Sequence, residues 1–167
     1  MNLSLEEARA RMKEHFPDGN SGRPEGWENL WHKGDFLPWD RGLPNPALED
    51  ALTDRTDVLG PRMTKDQRRR TALVPGCGRG YDVLLLASFG YDTIGLEVSE
   101  SAVQRCCEEK EKNGHKYAIR DTASGAGNAS FVNGDFFDST WTEEVGMKTF
   151  DLIYDYTVSV QRTYLPL

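Results

Sequence analysis

From Thr71 onward, compact apolar blocks alternate with stretches whose apolar residues recur at helical spacing. TALV, residues 71–74, is a short apolar strand, and after a glycine-rich turn YDVLLLASF has the composition of a buried helix stopped by Gly90. TIGLEV is a second strand. Ser99 is placed to cap the helix SAVQRCCEEKEKN, which ends at Gly114. DTASGAGNAS has the small-residue content of a surface loop, SFV is a third strand, and FDLIYDY a fourth. Strands alternating with helices of this length predict an α/β domain, a mostly parallel sheet with helices on both faces and four strands.

The pattern upstream is different. Ser4 and Glu7 form a capping-box pair, and Leu5, Ala8, Met12 and Phe16 recur along one helix face. Between Pro17 and Pro46 the composition turns to Gly, Pro and Trp, with Trp27, Trp31 and Trp39 inside GWENLWHKGDFLPWDRGLPNP. That aromatic weight predicts an ordered arm or lid rather than a flexible linker. Asn45 and Pro46 suit the cap and first turn of another helix, with Ala47, Leu48, Ala51 and Leu52 on one face. The expected organisation is one domain over 1–167, with a helical, Trp-rich lid at 1–60 and a ligand-binding half at 71–157.

Composition narrows the function classes. A chain of 167 residues with 38% hydrophobic content suits one domain, and a net charge of -7 with pI near 5.0 argues against nucleic acid or an anionic membrane as partner. Arg68, Arg69 and Arg70 are the one basic run, read as a solvated stretch ahead of a buried strand. Cys77, Cys106 and Cys107 show neither a disulfide framework nor zinc spacing, so a reducing cytosol and no metal are expected. The N-terminus lacks the apolar run of a secretory signal and no stretch is apolar enough to span a bilayer, so a soluble cytoplasmic protein is expected.

The chemistry concentrates in LVPGCGRGYDV. A helix starting directly after a strand presents unpaired backbone N–H groups, and Gly76, Cys77 and Gly78 form a turn bare enough for a ligand to approach. Gly76, Gly78 and Gly80 spell GxGxG, one residue short of the dinucleotide pattern at the third glycine, and no Gly-Lys-Ser/Thr triplet makes a phosphate loop. Glu97 ends the second strand twenty-one residues after Gly76, where a βαβ unit brings an acid to a ribose edge. In NGDFFD, Asp135 can accept from an adenine amino group while Phe136 or Phe137 packs on the ring; a tight turn, a strand-end acid and two core phenylalanines are the plainer alternatives.

With GWENLW and PWDRGLPNP, ALVPGCGRGYDV, TIGLEVSESAV, and NGDFFD leading to FDLIYDYT, the chain resembles a class I S-adenosylmethionine-dependent methyltransferase. More narrowly it resembles the thiopurine S-methyltransferase family in its plant and fungal halide and thiol methyltransferase branch, over roughly residues 20 to 157. The Trp pair four apart, the later PWD, and Val74 in place of the usual acid before the first glycine are the most specific features. The resemblance implies a Rossmann-like fold and S-adenosylmethionine as methyl donor, with Trp27, Trp31 and Trp39 against its sulfonium. The acceptor it implies is a small molecule: a thiol, thiocyanate, bisulfide or halide.

Methyl transfer of this kind is an in-line displacement for which positioning and water exclusion suffice. Asp155 and Tyr156 end the fourth strand, where parallel sheets place ligands, and by resemblance Tyr156 faces the acceptor. Tyr154 is read as an ordinary strand-end residue. VSVQRTYLPL does not match the family's continuation into a seven-stranded sheet, so a truncated chain is expected, open to self-association along an uncovered fourth strand. A non-catalytic, nucleoside-binding remnant and an NAD(P)-linked oxidoreductase are the competing readings.

Overall fold

The alternation of apolar blocks and helices resolves, in a computed structural model that describes residues 5–16, 23–156 and 158, into one four-stranded parallel sheet. Its strands are β1 (Thr71–Pro75), β2 (Asp92–Glu97), β3 (Ala129–Asn133) and β4 (Leu152–Ile153), in the order β3-β2-β1-β4. Leu73 pairs with Ile94 and Ile153, and Glu97 with Asn133. The chain leaves β1 toward β2 and β3 and returns on β1's other side as β4. That reversal opens a crevice at the carboxyl ends of the strands.

Alternate residues of each strand face opposite layers. Ala72 and Val74 point to a core built with α3 (Pro46–Asp54), through Leu48 and Leu52, and α5 (Tyr81–Ser88), whose Val83 to Ala87 are all buried. The helix α6 (Glu100–Asn113) lies on this side too, its Cys106 near Gly80 and the Phe131 ring. Leu73, Ile94, Leu96 and Val132 point the other way and are covered by Trp141 and Val145 of α7 (Trp141–Val145) and by Phe150, stacked on Trp141 at 6.1 Å. Among the described residues helices therefore cover both faces, but unequally: α3, α5 and α6 with Leu59 on one, the five-residue α7 on the other.

The amino-terminal arm has its own small core. Ala8 and Met12 of α1 (Leu5–His15), with Phe16, pack against Leu30, Trp27, Phe36 and Leu37 of and beyond α2 (Pro24–Lys33). Ser4 lies outside the described residues. α2 is then fixed to α6: the Glu28 carboxylate accepts from Ser99 Oγ at 2.8 Å, from Ser101 N–H at 3.1 Å and from the Ser101 hydroxyl, while Arg105 donates to the Trp31 carbonyl at 2.8 Å. Among the described residues no helix is long and apolar enough to cross a membrane.

Several expectations need correction. β4 is two residues rather than the length of FDLIYDY, and its Ile153, at the open edge, is 53% exposed. α6 does end at Gly114, which at φ -53° leads into a 3₁₀ turn, Gly114–Lys116. A further short helix, α4 (Thr56–Leu59), follows α3. The three arginines are not simply solvated: Arg69 donates to the carbonyls of Gly90, Ser124 and Gly125, Arg70 to that of Leu59, and Arg68 grips Asp151. Backbone carbonyls left unpaired where the sheet begins need donors, and the arginines supply them.

Asp151 ties β4 to β1 by accepting from Arg68 at 2.9 Å and from Thr71 N–H at 2.9 Å, and Arg68 foremost holds its carboxyl down from 3.8 to about 2. A depressed carboxyl stabilises the fold above its ordinary range, and that contribution disappears as pH falls from about 4 to about 2. Asp151→Asn should cost of order 1 kcal/mol in urea unfolding at neutral pH, given partial solvent screening, and the gap from the unsubstituted chain should close near pH 2. A gap independent of pH would refute this account of Asp151.

Candidate functional site

A cavity of about 360 Å³ opens at the carboxyl ends of the strands, within the range of small-ligand sites. Its floor is the turn from β1 to α5, which folds back sharply because Gly76, Gly78 and Gly80 take φ of 57°, 56° and 82°, a region costly for side chains bearing a Cβ. The turn lies against β2 at Gly95, where a Cβ would come within 2.8 Å of Cys77 Sγ and of Val83. Cys77 lines the cavity, yet its sulfur packs inward, 3.9 Å from Cys106 Sγ. Its hydrogen bond with Cys106, together with burial, pushes the Cys77 thiol well above its ordinary range.

The close packing revises the expectation of bare amides. Cys77 N–H donates to the Leu96 carbonyl at 3.2 Å, Gly80 N–H to the Cys77 carbonyl at 2.9 Å, and Gly78 N–H to the Glu97 carboxylate at 3.0 Å. Glu97 also accepts from Val98 N–H at 2.9 Å and Ser99 N–H at 3.3 Å, and it is 6% exposed. Burial raises its carboxyl above the usual range, against those three hydrogen bonds. Glu97 faces the cavity beside Gly76 and Gly78, as its spacing predicts, and braces the turn as well.

Trp27, Trp31 and Trp39 all line the cavity and meet edge to face, Trp39 lying 5.4 Å from Trp27 and 6.2 Å from Trp31. Trp31 is 2% exposed and Trp39 37%, so one cluster serves as both staple and wall. Asp40 reaches over to Arg79 in the turn at 2.7 Å, and Arg79 lies 6.0 Å from the Trp31 ring centre. Residue patterns alone missed this ion pair, since its members sit 39 positions apart. From β3, Asp135, Phe136 and Phe137 reach the wall; Phe136 also packs on the apolar core, and Asp135 accepts from Phe137 N–H at 2.9 Å.

The β4 side differs most from expectation. Tyr156 lines the rim at 62% exposure, and Tyr154, read as a plain strand-end residue, lines the cavity too, its phenol pushed to about 12 by burial. Asp155 is outside the lining: its carboxylate accepts from Val158 N–H at 2.8 Å to close a turn, which removes it from the crevice. That turn sets Val158 against Gly76, where a Cβ would meet Val158 Cγ2 at 2.1 Å. Asp82, Asn45, Asp40 and Arg41 also line the wall; PWDRGLPNP and VPGCGRGYDV contain them, but the sequence alone assigns none of them a ligand contact.

A family model described as thiopurine S-methyltransferase matches residues 22–161. The chain is 35% identical over 154 residues to a probable thiol methyltransferase 2 of Arabidopsis thaliana, covering 92% of this chain and 55% of the relative. It is 35% identical over 133 residues to thiocyanate methyltransferase 1 of Brassica oleracea, covering 80% and 47%. The chain thus spans about half the length of these curated relatives. A solved structure, described by the conversion of a disulfide bond into a thioacetal group during echinomycin biosynthesis, superposes with a TM-score of 0.51 at 25% identity, over 74% of this chain and 40% of that one.

Gly95→Ala tests the packing beneath the turn. Its methyl would press on Cys77, Val83 and Phe131, so the variant should lose about 1–3 kcal/mol in urea unfolding, and hydrogen exchange at the Gly78 amide should accelerate. Unchanged exchange at Gly78 would show that its contact with Glu97 does not depend on this approach.

Proposed function

The chain belongs to the thiopurine S-methyltransferase family, and on that premise we propose that its cavity binds S-adenosylmethionine and directs the methyl group onto a small soft nucleophile: a thiol, thiocyanate, bisulfide or halide. The observation that carries the reading is the Glu97 carboxylate, buried beside the glycine turn on the cavity's wall. A carboxylate has about four lone-pair sites, and three backbone N–H groups take both on Oε1 and one on Oε2, so Glu97 keeps one Oε2 site for a ribose hydroxyl while holding the turn. The donor, when bound, supplies an electrophilic methyl carbon on a positively charged sulfur.

The chain's own residues then have separable tasks. Asp135 accepts from the adenine amino group and Phe136 packs on its ring. Gly76, Cys77 and Gly78 present backbone to the nucleoside, with the Cys77 sulfur turned inward and Val158 against Gly76. Trp27, Trp31 and Trp39 present aromatic faces to the sulfonium and exclude water from it. Tyr156 borders the acceptor's approach. The nucleophile's electron pair forms the new bond to the methyl carbon as the donor's carbon–sulfur bond breaks, which needs alignment rather than a covalent enzyme intermediate. The similarity to plant proteins named as thiol and thiocyanate methyltransferases supports this choice of acceptor.

A second reading, a nucleoside-binding chain without turnover, is favoured by the acceptor side: Val158 stands against Gly76, and Tyr156 borders an open rim. Calorimetry with S-adenosylhomocysteine and with NAD, beside Glu97→Ala, tests binding. Heat with the first ligand alone, weakened at least tenfold in the variant as loss of a hydrogen bond to a charged group implies, is the expected result. Heat with NAD alone would overturn the reading. Product from a panel of iodide, thiocyanate, bisulfide, small thiols and thiopurines then decides between turnover and binding alone.

A further inference from the structure

Asp82 lies in the first turn of α5, two residues beyond Gly80, and lines the cavity. One carboxylate oxygen accepts from Asn45 N–H at 2.7 Å. Among the described residues Asp82 enters no ion pair. The other acids of the wall are engaged: Asp40 with Arg79, Glu97 with three backbone N–H groups, Asp135 with Phe137. Burial holds the Asp82 carboxyl above its usual range, and its neighbour Tyr154 is a phenol that stays uncharged at neutral pH. A half-buried carboxylate without a counter-charge is costly, and a cationic ligand group would relieve that cost.

Position selects the group. Glu97 and Asp135 lie at the ends of β2 and β3, on one side of the glycine turn. Asp82 lies at the start of α5 with Asn45 and Tyr154, toward β4. A ligand whose nucleoside rests on the first side extends its tail across the turn to the second. We propose that Asp82 binds the α-ammonium group of the methyl donor's aminoacyl tail. This rests on the reading of the cavity as an S-adenosylmethionine site and adds the residue that distinguishes the donor from its nucleoside fragments.

Calorimetry on the full chain, comparing S-adenosylhomocysteine with 5′-methylthioadenosine, which lacks the aminoacyl tail, tests the assignment. Asp82→Asn keeps an oxygen for Asn45 N–H and removes only the charge. It should weaken S-adenosylhomocysteine by roughly tenfold to a hundredfold, as loss of a charge-assisted hydrogen bond does, and leave 5′-methylthioadenosine within about twofold. A third ligand, S-adenosylhomocysteine without its amino group, puts the same question to the unsubstituted chain: it should bind about tenfold more weakly there and show no further loss in Asp82→Asn. Equal losses for both natural ligands, or none for either, would overturn the role of Asp82. An unsubstituted chain that binds neither ligand would instead overturn the reading of the cavity, and this assignment with it.

Discussion

The site depends on how closely the β1–α5 turn approaches the end of β2. Three glycines in left-handed conformations reverse the chain, and Gly95 removes the Cβ that would hold it away. Glu97 then reaches the Gly78 amide while accepting from its own following residues. One buried carboxylate therefore joins the turn, the end of β2 and the start of α6. Burying it without those N–H donors would cost far more than the few hydrogen bonds return. On the proposed reading, the acid that accepts from the ribose also holds the floor on which the ribose lies.

The aromatic wall is held by charge rather than by aromatic packing alone. Glu28 caps the approach to α6 through Ser99 and Ser101, Arg105 holds the Trp31 carbonyl, and Asp40 grips Arg79 in the turn itself. These contacts set the height of Trp27, Trp31 and Trp39 above the glycines. Arg79 faces both Asp40 and Trp31, so a shift of the arm is felt at the cavity floor.

The strand–turn–helix alternation was legible because each apolar block is bounded by local punctuation: Gly90 after α5, Ser99 before α6, Asn45 and Pro46 at α3. The placement of Glu97 beside Gly76 followed from the length of one βαβ unit. What patterns could not convey depends on partners distant in sequence. The Asp40–Arg79 pair and the carbonyls that engage Arg69 join residues whose neighbours in the chain signal nothing unusual. Asp82 was hidden for a related reason, since an acid in the first turn of a helix is ordinary in composition. Only Asn45 on one side and the cavity on the other make it distinctive.

The two halves of the cavity differ in how firmly they are built. Glu97, Asp135 and Phe136 stand on β2 and β3, and β2 pairs along its whole length with β1 and β3. Tyr154 and Tyr156 follow a two-residue strand paired, among the described residues, with β1 alone, and Asp151 anchors that strand through Arg68 and Thr71. Rigid elements hold a ligand's nucleoside in place, whereas in-line transfer also needs the acceptor's approach fixed to a fraction of an ångström. On the proposed reading, that difference favours binding of the nucleoside over alignment of the acceptor. Val158 lies at the boundary, against Gly76, and so stands between the firmly paired half of the cavity and the half that follows β4.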